Sequence, residues 1–313
     1  MKGAWMMKIA VVGLGGVGGY FGGKLARKYA GLPEHRVAFI ARGEHLAAIR
    51  RDGLLLKTVD GECRVTPDLA TDRAAEAGPS DLVLFCVKEY DMESAAALLD
   101  PLLHDQTIVL PVLNGVDIAE RLRSIIPRGV VLSGCVYIST FIEAPGVVHQ
   151  VGGTCQLLFG ADDGKSEAYR PLEALLQEAG IKAELSPDIA VPLWSKYLFV
   201  SPMAGVTSLM GKCFGDVMAD AKGRAMARGL MAEVERLARA KGINLPPDSV
   251  ERGIATVERF PPATKSSMQL DFEKERRTEL ELFIGFAVRA GRSLGVPMPL
   301  HEELYAALTV RKG

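Results

Sequence analysis

The 313-residue sequence has few cysteines and almost no net charge, and both shortages narrow what the protein can be. Its five cysteines are an odd number without a C-x-x-C pair, which favours small buried thiols in a reducing cytoplasm over a disulfide framework. The formal net charge of −1 gives no electrostatic reason to expect nucleic acid or an anionic membrane as a partner. We therefore expect a soluble cytoplasmic protein that binds neither, and we predict no metal site.

The start of the chain has features of a signal peptide, but we expect neither a signal peptide nor a membrane segment there. Lys2 and Lys8 precede an uncharged run over 9–23, but its fifteen residues fall short of the ~20 that span a bilayer. The spacing of its glycines explains the same run better, as a turn between a strand and a helix. Because Met7 alone suffices to begin the first strand, we expect residues 1–6 to be an alternative start or an added extension.

A glycine-rich turn follows the first predicted strand. Residues 9–12 are an apolar run, and Gly13, Gly15 and Gly18 follow at G-x-G-x-x-G spacing before a helical pattern over 20–29. The order suits a dinucleotide: the first glycine permits a tight turn, the second lets a pyrophosphate approach bare backbone, and the third lets helix and strand pack closely. A glycine-rich turn without a ligand is the alternative. The predicted cofactor-binding residues are Gly13, Leu14, Gly15, Gly16, Val17 and Gly18.

The residue after the second predicted strand, over 37–41, indicates which cofactor binds. An NAD site usually carries an acidic residue there for the ribose 2′-hydroxyl, whereas an arginine accommodates a 2′-phosphate. This chain has Arg42, whose planar, permanently charged guanidinium suits a phosphate. Glu44 lies past the strand end, and we expect it in the first turn of the next helix. We therefore predict NADP(H), with a merely solvated arginine as the alternative.

Two further predicted strands end in polar residues. The apolar runs over 81–87 and 107–112 are followed by Lys88 and by Asn114-Gly115. Ligands of open parallel sheets lie beyond the carboxyl ends of the strands, so Lys88 and Asn114 are expected near a nicotinamide and its substrate. A solvated lysine and a plain turn are the corresponding alternatives.

The sequence pattern changes after Pro187 and divides the chain, whose length allows two domains. The other strands predicted before it span 54–59, 63–66, 130–142, 147–151, 155–159 and 181–185, with turns at Asp60-Gly61, Pro145-Gly146 and Gly152-Gly153. After it, helical patterns over 217–240 and 278–294 end at Gly242 and Gly295. We expect a doubly wound α/β domain over 1–187 and an all-helical domain over 188–313.

Two polar spots stand out in the helical half. Lys196 lies in an apolar segment, and burial that lowers the pKa of a lysine makes it a useful proton donor near neutral pH. The alternative is a lysine whose ammonium group reaches solvent from an amphipathic helix. Ser267 and Glu279 lie in a charge-dense stretch that a solvated helix face also explains. On one uninterrupted helix they would differ by roughly 120°, so they share a cleft only if Ser267 sits at or before a helix start.

Together these motifs resemble the ketopantoate reductase (2-dehydropantoate 2-reductase) family. The matching segments span most of the chain in order: GLGGVGG at 13–19, ARGEH at 41–45, CVK ending at Lys88, Asn114-Gly115, W-x-K at 194–196 and SM…RRTE at 267–279. The resemblance implies a Rossmann-type domain followed by a helical domain. It also implies reduction of the 2-oxo acid ketopantoate to pantoate by NADPH, in cytoplasmic pantothenate biosynthesis.

The resemblance assigns roles to individual residues. Lys196 would be the general acid that protonates the carbonyl oxygen as hydride arrives. Glu279 would hydrogen-bond the substrate hydroxyl beside the cofactor, and Ser267 would contact the substrate, with Asn114 and Lys88 beside the nicotinamide. A cation that can release a proton suits this chemistry, because hydride addition builds negative charge on the ketone oxygen.

The chain departs from the family at two positions. Family members usually carry asparagines four and eight residues after the lysine, where this chain has Val200 and Ala204. Ser201 is then the nearby polar residue expected to contact substrate. The missing asparagines do not change the expected reaction type. They leave two candidate substrates, ketopantoate and a more apolar 2-oxo acid.

The sequence is also compatible with two other functions and with a homodimer. A decarboxylating hydroxy-acid dehydrogenase would also use a lysine, although Glu279 and Ser267 argue against it. A non-catalytic NADPH-sensing protein would keep the glycine turn and Arg42 without needing Lys196 together with Glu279. The apolar faces of the helices could pack in a homodimer interface or in the core of the helical domain itself.

Overall fold

The computed structural model describes residues 7–312. Two compact units follow one another along the chain, and the division falls between Ile189 and Ala190. Every strand found among residues 7–312 belongs to the first unit, and the second contains helices. The extension expected over 1–6 lies outside the described residues.

Six strands of the first unit form a parallel sheet. In chain order the strands are β1 (Met7–Val12), β2 (His35–Ile40), β3 (Leu54–Thr58), β4 (Gly61–Val65), β5 (Leu69–Thr71), β6 (Leu82–Phe85), β7 (Ile108–Pro111), β8 (Val130–Val131), β9 (Ser133–Ala144), β10 (Val147–Gly160) and β11 (Lys182–Leu185). The parallel sheet has the order β5-β2-β1-β6-β7-β8. Counting only its own strands, this is the 3-2-1-4-5-6 order of the Rossmann fold. The predicted fold is confirmed, and its switch point lies between β1 and β6.

Helices connect the strands of this unit. They are α1 (Gly16–Tyr29), α2 (Gly43–Asp52), α3 (Ala74–Ala77), α4 (Met92–Ala96), α5 (Ile118–Ile125) and α6 (Arg170–Glu178), with 3₁₀ turns at Glu89–Asp91, Asp100–Leu102 and Ser166–Tyr169. Phe21 and Leu25 of α1 are fully buried, and so is every residue of β6. Burial of each such side chain stabilises the fold by about 1.5–3 kcal/mol, which explains why β6 is a continuous apolar run.

The other strands form a second sheet in the order β11-β10-β3-β4, with β9 paired to β10. The predicted hairpins at Asp60-Gly61 and Pro145-Gly146 are confirmed. The predicted turn at Gly152-Gly153 is wrong, because β10 runs through both glycines with shifts of register. Gly153 at φ +83° and Cys155 at φ +56° have left-handed backbone there, as bulged strands do.

The second unit is helical throughout its described residues. Its helices are α7 (Ala190–Met210), α8 (Phe214–Ala219), α9 (Ala221–Ala240), α10 (Ser249–Glu258), α11 (Ser267–Glu273), α12 (Phe286–Leu294) and α13 (Pro299–Lys312), with a π-helical turn at Glu281–Gly285. The single helix predicted over 217–240 is two helices. Asp220 ends the first and caps α9 by accepting hydrogen bonds from two backbone N–H groups, at 2.9 and 3.0 Å. The stops predicted at Gly242 and Gly295 are confirmed, with φ of +79° and +66°.

Two further observations bear on the sequence predictions. Among residues 7–312, no helix combines the length and the apolar character needed to cross a bilayer. The five cysteines all lie in this range and form no disulfide, and Cys86, Cys135 and Cys155 are buried as expected. Cys63 and Cys213 are only half-buried.

Candidate active site

The three glycines of the turn after β1 have different environments. Gly13 has left-handed backbone at φ +88°, and a Cβ there would lie 2.9 Å from the carbonyl group of Cys86. A Cβ on Gly18 would lie 1.9 Å from the carbonyl oxygen of Gly13, whereas a Cβ on Gly15 would meet nothing within 4 Å. The turn is thus closed by protein at Gly13 and Gly18 and open at Gly15. This is the arrangement that a backbone receiving a pyrophosphate requires.

The other residues of the turn present backbone rather than side chains. Leu14 is buried at 3% exposure, and a Cβ on Gly16 would lie 2.6 Å from the carbonyl group of Thr140 in β9. Gly15 is the N-cap of α1 and has no side chain with which to cap it. The N–H groups over 16–18 therefore begin the helix without intrahelical partners, at its positive end, where an anion is stabilised.

Arg42 follows β2 closely, at the position predicted to distinguish a ribose from a ribose phosphate. Its side chain is 84% exposed, and Nη2 donates a hydrogen bond of 2.6 Å to the carboxylate of Asp91. Asp91 lies 49 residues further along the chain, so no local pattern could have revealed the pair. Glu44 lies in the first turn of α2, as expected. The guanidinium predicted to bind a phosphate is exposed and has a carboxylate beside it.

His45 connects the glycine turn to the β9–β10 hairpin. Its Nδ1 accepts a hydrogen bond of 3.0 Å from the N–H of Gly146. Its Nε2 lies near the carbonyl group of Leu14, without full hydrogen-bond geometry. Burial lowers the pKa of His45, and the Leu14 carbonyl opposes this only in part. A neutral imidazole that accepts this bond on Nδ1 carries its proton on Nε2.

Lys88 and Asn114 follow β6 and β7 at the carboxyl edge of the parallel sheet, as predicted. Lys88 is exposed at the N-cap of the 3₁₀ turn after β6, and Asn114 is half-buried. Arg121 of α5 forms an ion pair of 2.7 Å with Glu89 in that same turn. It thereby restrains the loop that carries Lys88 against the helix that follows β7.

Lys196 lies in the first half of α7 and is half-buried, as is Val200 one turn later. Ala204, a further turn along, is 1% exposed. Residues four apart lie on one face of a helix, so these three side chains form one stripe. The stripe offers an amine followed by apolar groups, where asparagines would have offered amides.

The position of Ser201 does not support the expected substrate contact. Ser201 is fully buried, and its hydroxyl donates a hydrogen bond of 2.7 Å to the carbonyl oxygen of Phe283. The hydroxyl of Tyr197 donates to the same oxygen. Ser201 also lies about 100° around the helix from Val200. We therefore assign Ser201 to the packing of α7.

The helix predicted over 278–294 contains an irregularity that sequence patterns did not show. Near its start it forms the π-helical turn Glu281–Gly285. Such turns carry one residue more than an α-helical turn and are frequent at functional sites. The carbonyl group of Phe283, which α7 binds, belongs to this turn. The π turn thus joins α7, which carries Lys196, to the helix that Glu279 precedes.

Ser267 and Glu279 lie on separate elements. α11 begins at Ser267, and Ser266 caps it by accepting a hydrogen bond of 3.1 Å from the N–H of Gln269. Helix resumes only at Leu280, so the condition that Ser267 sit at a helix start is met. Ser267 is exposed, whereas Glu279 is 4% exposed at the positive end of the next helix.

Comparisons with known proteins cover nearly the whole chain. The family model Ketopantoate reductase PanE/ApbA matches residues 9–164, and its C-terminal counterpart matches residues 188–312. The "Uncharacterized oxidoreductase YkpB" of Bacillus subtilis is 31% identical, over 96% of this chain and 98% of that protein. A 2-dehydropantoate 2-reductase of Mesorhizobium japonicum is 29% identical, over 98% and 99%.

Solved structures agree with the sequence comparisons. The ketopantoate reductase of the PanE/ApbA family from Ralstonia eutropha JMP134 superposes with a TM-score of 0.88 at 32% identity, covering 98% of each chain. The 2-dehydropantoate 2-reductase of Porphyromonas gingivalis W83 has a TM-score of 0.83 at 35% identity, covering 97% of this chain and 99% of that one. The protein therefore belongs to the ketopantoate reductase family of NAD(P)H-dependent oxidoreductases.

Proposed function

We propose that this protein reduces 2-dehydropantoate (ketopantoate) to pantoate with NADPH, as a cytoplasmic enzyme of pantothenate biosynthesis. One observation carries the proposal: a chain with a nucleotide turn open at Gly15 also holds a half-buried Lys196, on a helix hydrogen-bonded to the segment that Glu279 precedes. Relatives named 2-dehydropantoate 2-reductase that match over nearly the whole chain support this substrate.

The first unit supplies the groups that would hold the cofactor. The N–H groups at the start of α1 and the bare backbone at Gly15 suit the pyrophosphate. The exposed guanidinium of Arg42 suits the 2′-phosphate. Lys88 and Asn114, beyond the ends of β6 and β7, would lie beside the nicotinamide. When bound, NADPH supplies the hydride.

The second unit supplies the proton and the contacts to the substrate. Lys196 would donate a hydrogen bond from its ammonium group to the ketone oxygen, stabilise the charge that develops there and transfer the proton. Glu279 would accept a hydrogen bond from the hydroxyl group of the substrate. Ser267, exposed at the start of α11, would contact the substrate as well.

A reductase of a more apolar 2-oxo acid is the second candidate, and Val200 favours it. Val200 is half-buried one turn beyond Lys196 and offers a substrate no hydrogen bond. A site that pairs a substrate hydroxyl rejects analogues that lack it, whereas an apolar site does not. The two candidates thus differ in how much the 4-hydroxyl of ketopantoate adds to kcat/KM.

Steady-state oxidation of NADPH tests both candidates. Ketopantoate is compared with 3,3-dimethyl-2-oxobutanoate, which lacks only the 4-hydroxyl, and with a panel of other 2-oxo acids. We expect ketopantoate to have the highest kcat/KM. A clear preference for the analogue without the hydroxyl would establish the second candidate instead.

Lys196→Ala tests the proton donor. We expect kcat to fall by about 10²–10⁴-fold, the usual contribution of general acid catalysis, with NADPH binding retained. Lys222→Ala is the control, because Lys222 is an exposed lysine of the same unit whose side chain has no place in the proposal. Equal effects of the two changes would contradict the role of Lys196. Binding of NADPH by the unaltered protein without turnover of any 2-oxo acid would indicate a sensor.

A homodimer also belongs to the proposal. Light scattering of the purified protein, with and without NADPH, measures the mass directly. A mass of one chain under both conditions would exclude it.

A further inference from the structure

The ion pair between Arg42 and Asp91 spans the glycine turn. Arg42 follows β2, and Asp91 ends the 3₁₀ turn after β6. Because β1 lies between β2 and β6 in the sheet, an ion pair joining these two loops crosses the carboxyl end of β1. That end leads directly into Gly13. The pair therefore stands where the adenosine half of a dinucleotide lies in this fold.

The carboxylate of Asp91 is not used in the way its position would suggest. Asp91 is the N-cap of α4, where an aspartate usually accepts hydrogen bonds from the first N–H groups of the helix, yet its side chain makes no such bond. Its carboxylate instead accepts a hydrogen bond of 2.6 Å from Arg42, whose guanidinium is 84% exposed. Asp91 is thus a counter-ion of Arg42.

We propose that Asp91 sets cofactor selectivity by competing with the 2′-phosphate for Arg42. This inference rests on the proposed binding of NADPH at the glycine turn. A phosphate and a carboxylate are both strong acceptors for one guanidinium, and they repel each other when held close together. NADPH must therefore displace Asp91 or bind beside it, whereas NADH leaves the ion pair undisturbed. Asp91 thus lowers the affinity of the protein for NADPH and reduces its preference for NADPH over NADH.

Titration of nicotinamide fluorescence tests the competition through the Kd of each cofactor. Asp91→Asn keeps a side-chain carbonyl oxygen that can accept a hydrogen bond from Arg42, but it removes the negative charge. We expect NADPH to bind about two- to fivefold more tightly, the range that exposed ion pairs are worth, and NADH to bind unchanged. The Kd for NADPH should also depend more steeply on salt, since Arg42 then faces the phosphate with its full charge.

Asp100→Asn is the matched control. Asp100 forms an ion pair of 2.7 Å with Arg128, and both partners are about half exposed. Asp100→Asn removes one negative charge from the first unit, as Asp91→Asn does. Asp100 precedes β7 and Arg128 precedes β8, so this pair lies at the amino edge of the sheet, away from the glycine turn. We expect no change in either Kd.

Arg42→Ala separates this inference from the proposed function. If Arg42→Ala weakens NADPH at least tenfold and Asp91→Asn tightens it only when Arg42 is present, the competition is established. If Arg42→Ala weakens NADPH but Asp91→Asn leaves it unchanged or weaker, the inference fails and the phosphate site stands. If Arg42→Ala leaves the Kd for NADPH unchanged, the phosphate site itself fails, and the inference with it.

Discussion

The hydroxyl of Ser201 donates a hydrogen bond of 2.7 Å to the carbonyl oxygen of Phe283, and both residues are buried. The bond joins α7 to the π-helical turn that follows Glu279. Tyr197 donates to the same oxygen, so two hydroxyl groups satisfy one irregular carbonyl. Lys196 stands next to Tyr197 on α7. Both bonds hold the helix that carries Lys196 against the π-helical turn.

Ser201→Ala should destabilise the fold without acting as the loss of a substrate contact. We expect the free energy of unfolding to fall by about 0.5–1.5 kcal/mol, because the change removes one buried hydrogen bond while Tyr197 still donates to the carbonyl oxygen of Phe283. KM for ketopantoate should stay within twofold of its original value. Urea unfolding and steady-state kinetics measure the two effects. A large rise in KM with unchanged stability would reinstate Ser201 as a substrate contact.

Alanine at Gly15 should weaken cofactor binding, whereas alanine at Gly18 should destabilise the fold. A methyl group on Gly15 meets open space, so the fold should be kept while the pyrophosphate is obstructed, and we expect the Kd for NADPH to rise at least tenfold. A methyl group on Gly18 would overlap the carbonyl oxygen of Gly13, so stability should fall by about 1–3 kcal/mol despite the better helix propensity of alanine. Fluorescence titration and urea unfolding give both values. Unaltered cofactor affinity in Gly15→Ala would contradict the proposed site.

The parallel sheet and its glycine turn were predictable because their signals are local. A buried strand is a short apolar run, and the glycine spacing lies within six residues, 13–18. The errors arose where one pattern fits two structures. The pair Gly152-Gly153 fits a bulge as well as a turn, and the helical pattern over 217–240 continues through Asp220, although aspartate is a typical N-cap.

The contacts that complete the candidate site could not be predicted from the sequence. Arg42 and Asp91 lie 49 residues apart, and Ser201 and Phe283 lie 82 apart. Such pairs depend on how the elements pack, which periodicity does not describe. Ser201 was expected at the substrate because it is polar and close to Lys196 in sequence. Its direction around the helix, which decides its partner, points it into the packing of α7.

Val200→Asn should favour the substrate with a hydroxyl. An amide one turn beyond Lys196 adds a donor and an acceptor to the stripe, and a hydrogen bond contributes about 0.5–1.5 kcal/mol. We expect the ratio of kcat/KM for ketopantoate over 3,3-dimethyl-2-oxobutanoate to rise about two- to tenfold. Val200→Leu controls for volume, since it adds no polar group. Equal changes of the ratio in both variants would exclude a hydrogen bond at this position.

His45 should make the stability of the protein depend on pH. Burial lowers the pKa of His45 below its ordinary value of 6.5, so the unfolded chain takes up the proton first as the pH falls. The stability that His45 contributes is therefore complete above pH 6.5 and declines as the pH drops below it. In His45→Gln, whose carbonyl can accept the N–H of Gly146, we expect a smaller loss between pH 7 and pH 5. Urea midpoints across this range measure the difference, and parallel curves for the two proteins would contradict the assignment.

Glu233 is a buried carboxylate of the helical unit, and its loss should lower the stability of the fold. Its two oxygens accept hydrogen bonds from the N–H groups of Leu300 and His301 at 2.9 and 3.0 Å, and Oε2 also lies 2.7 Å from Nδ1 of His301. Glu233 on α9 and His301 on α13 are both almost completely buried. The carboxylate thus caps α13 from a neighbouring helix. Glu233→Gln should lower the free energy of unfolding by about 1–3 kcal/mol, because the single carbonyl oxygen of glutamine cannot replace both carboxylate oxygens as acceptors.

The same substitution should remove a response to acid. Burial raises the pKa of Glu233, but the hydrogen bonds from His301 and the two N–H groups outweigh it, so the pKa lies below the ordinary value of 4.5. The stability gained from the carboxylate is therefore present above pH 4.5 and lost as the pH falls through the lower pKa of the folded protein. Unfolding followed from pH 6 to pH 3 should show a shallower acid loss in Glu233→Gln than in the unaltered protein. Arg236→Gln is the control, since Arg236 lies 4.0 Å from Glu233 but is half exposed, and it should lower stability by less than about 1 kcal/mol. An equally steep acid loss in Glu233→Gln would show that other carboxylates govern this range.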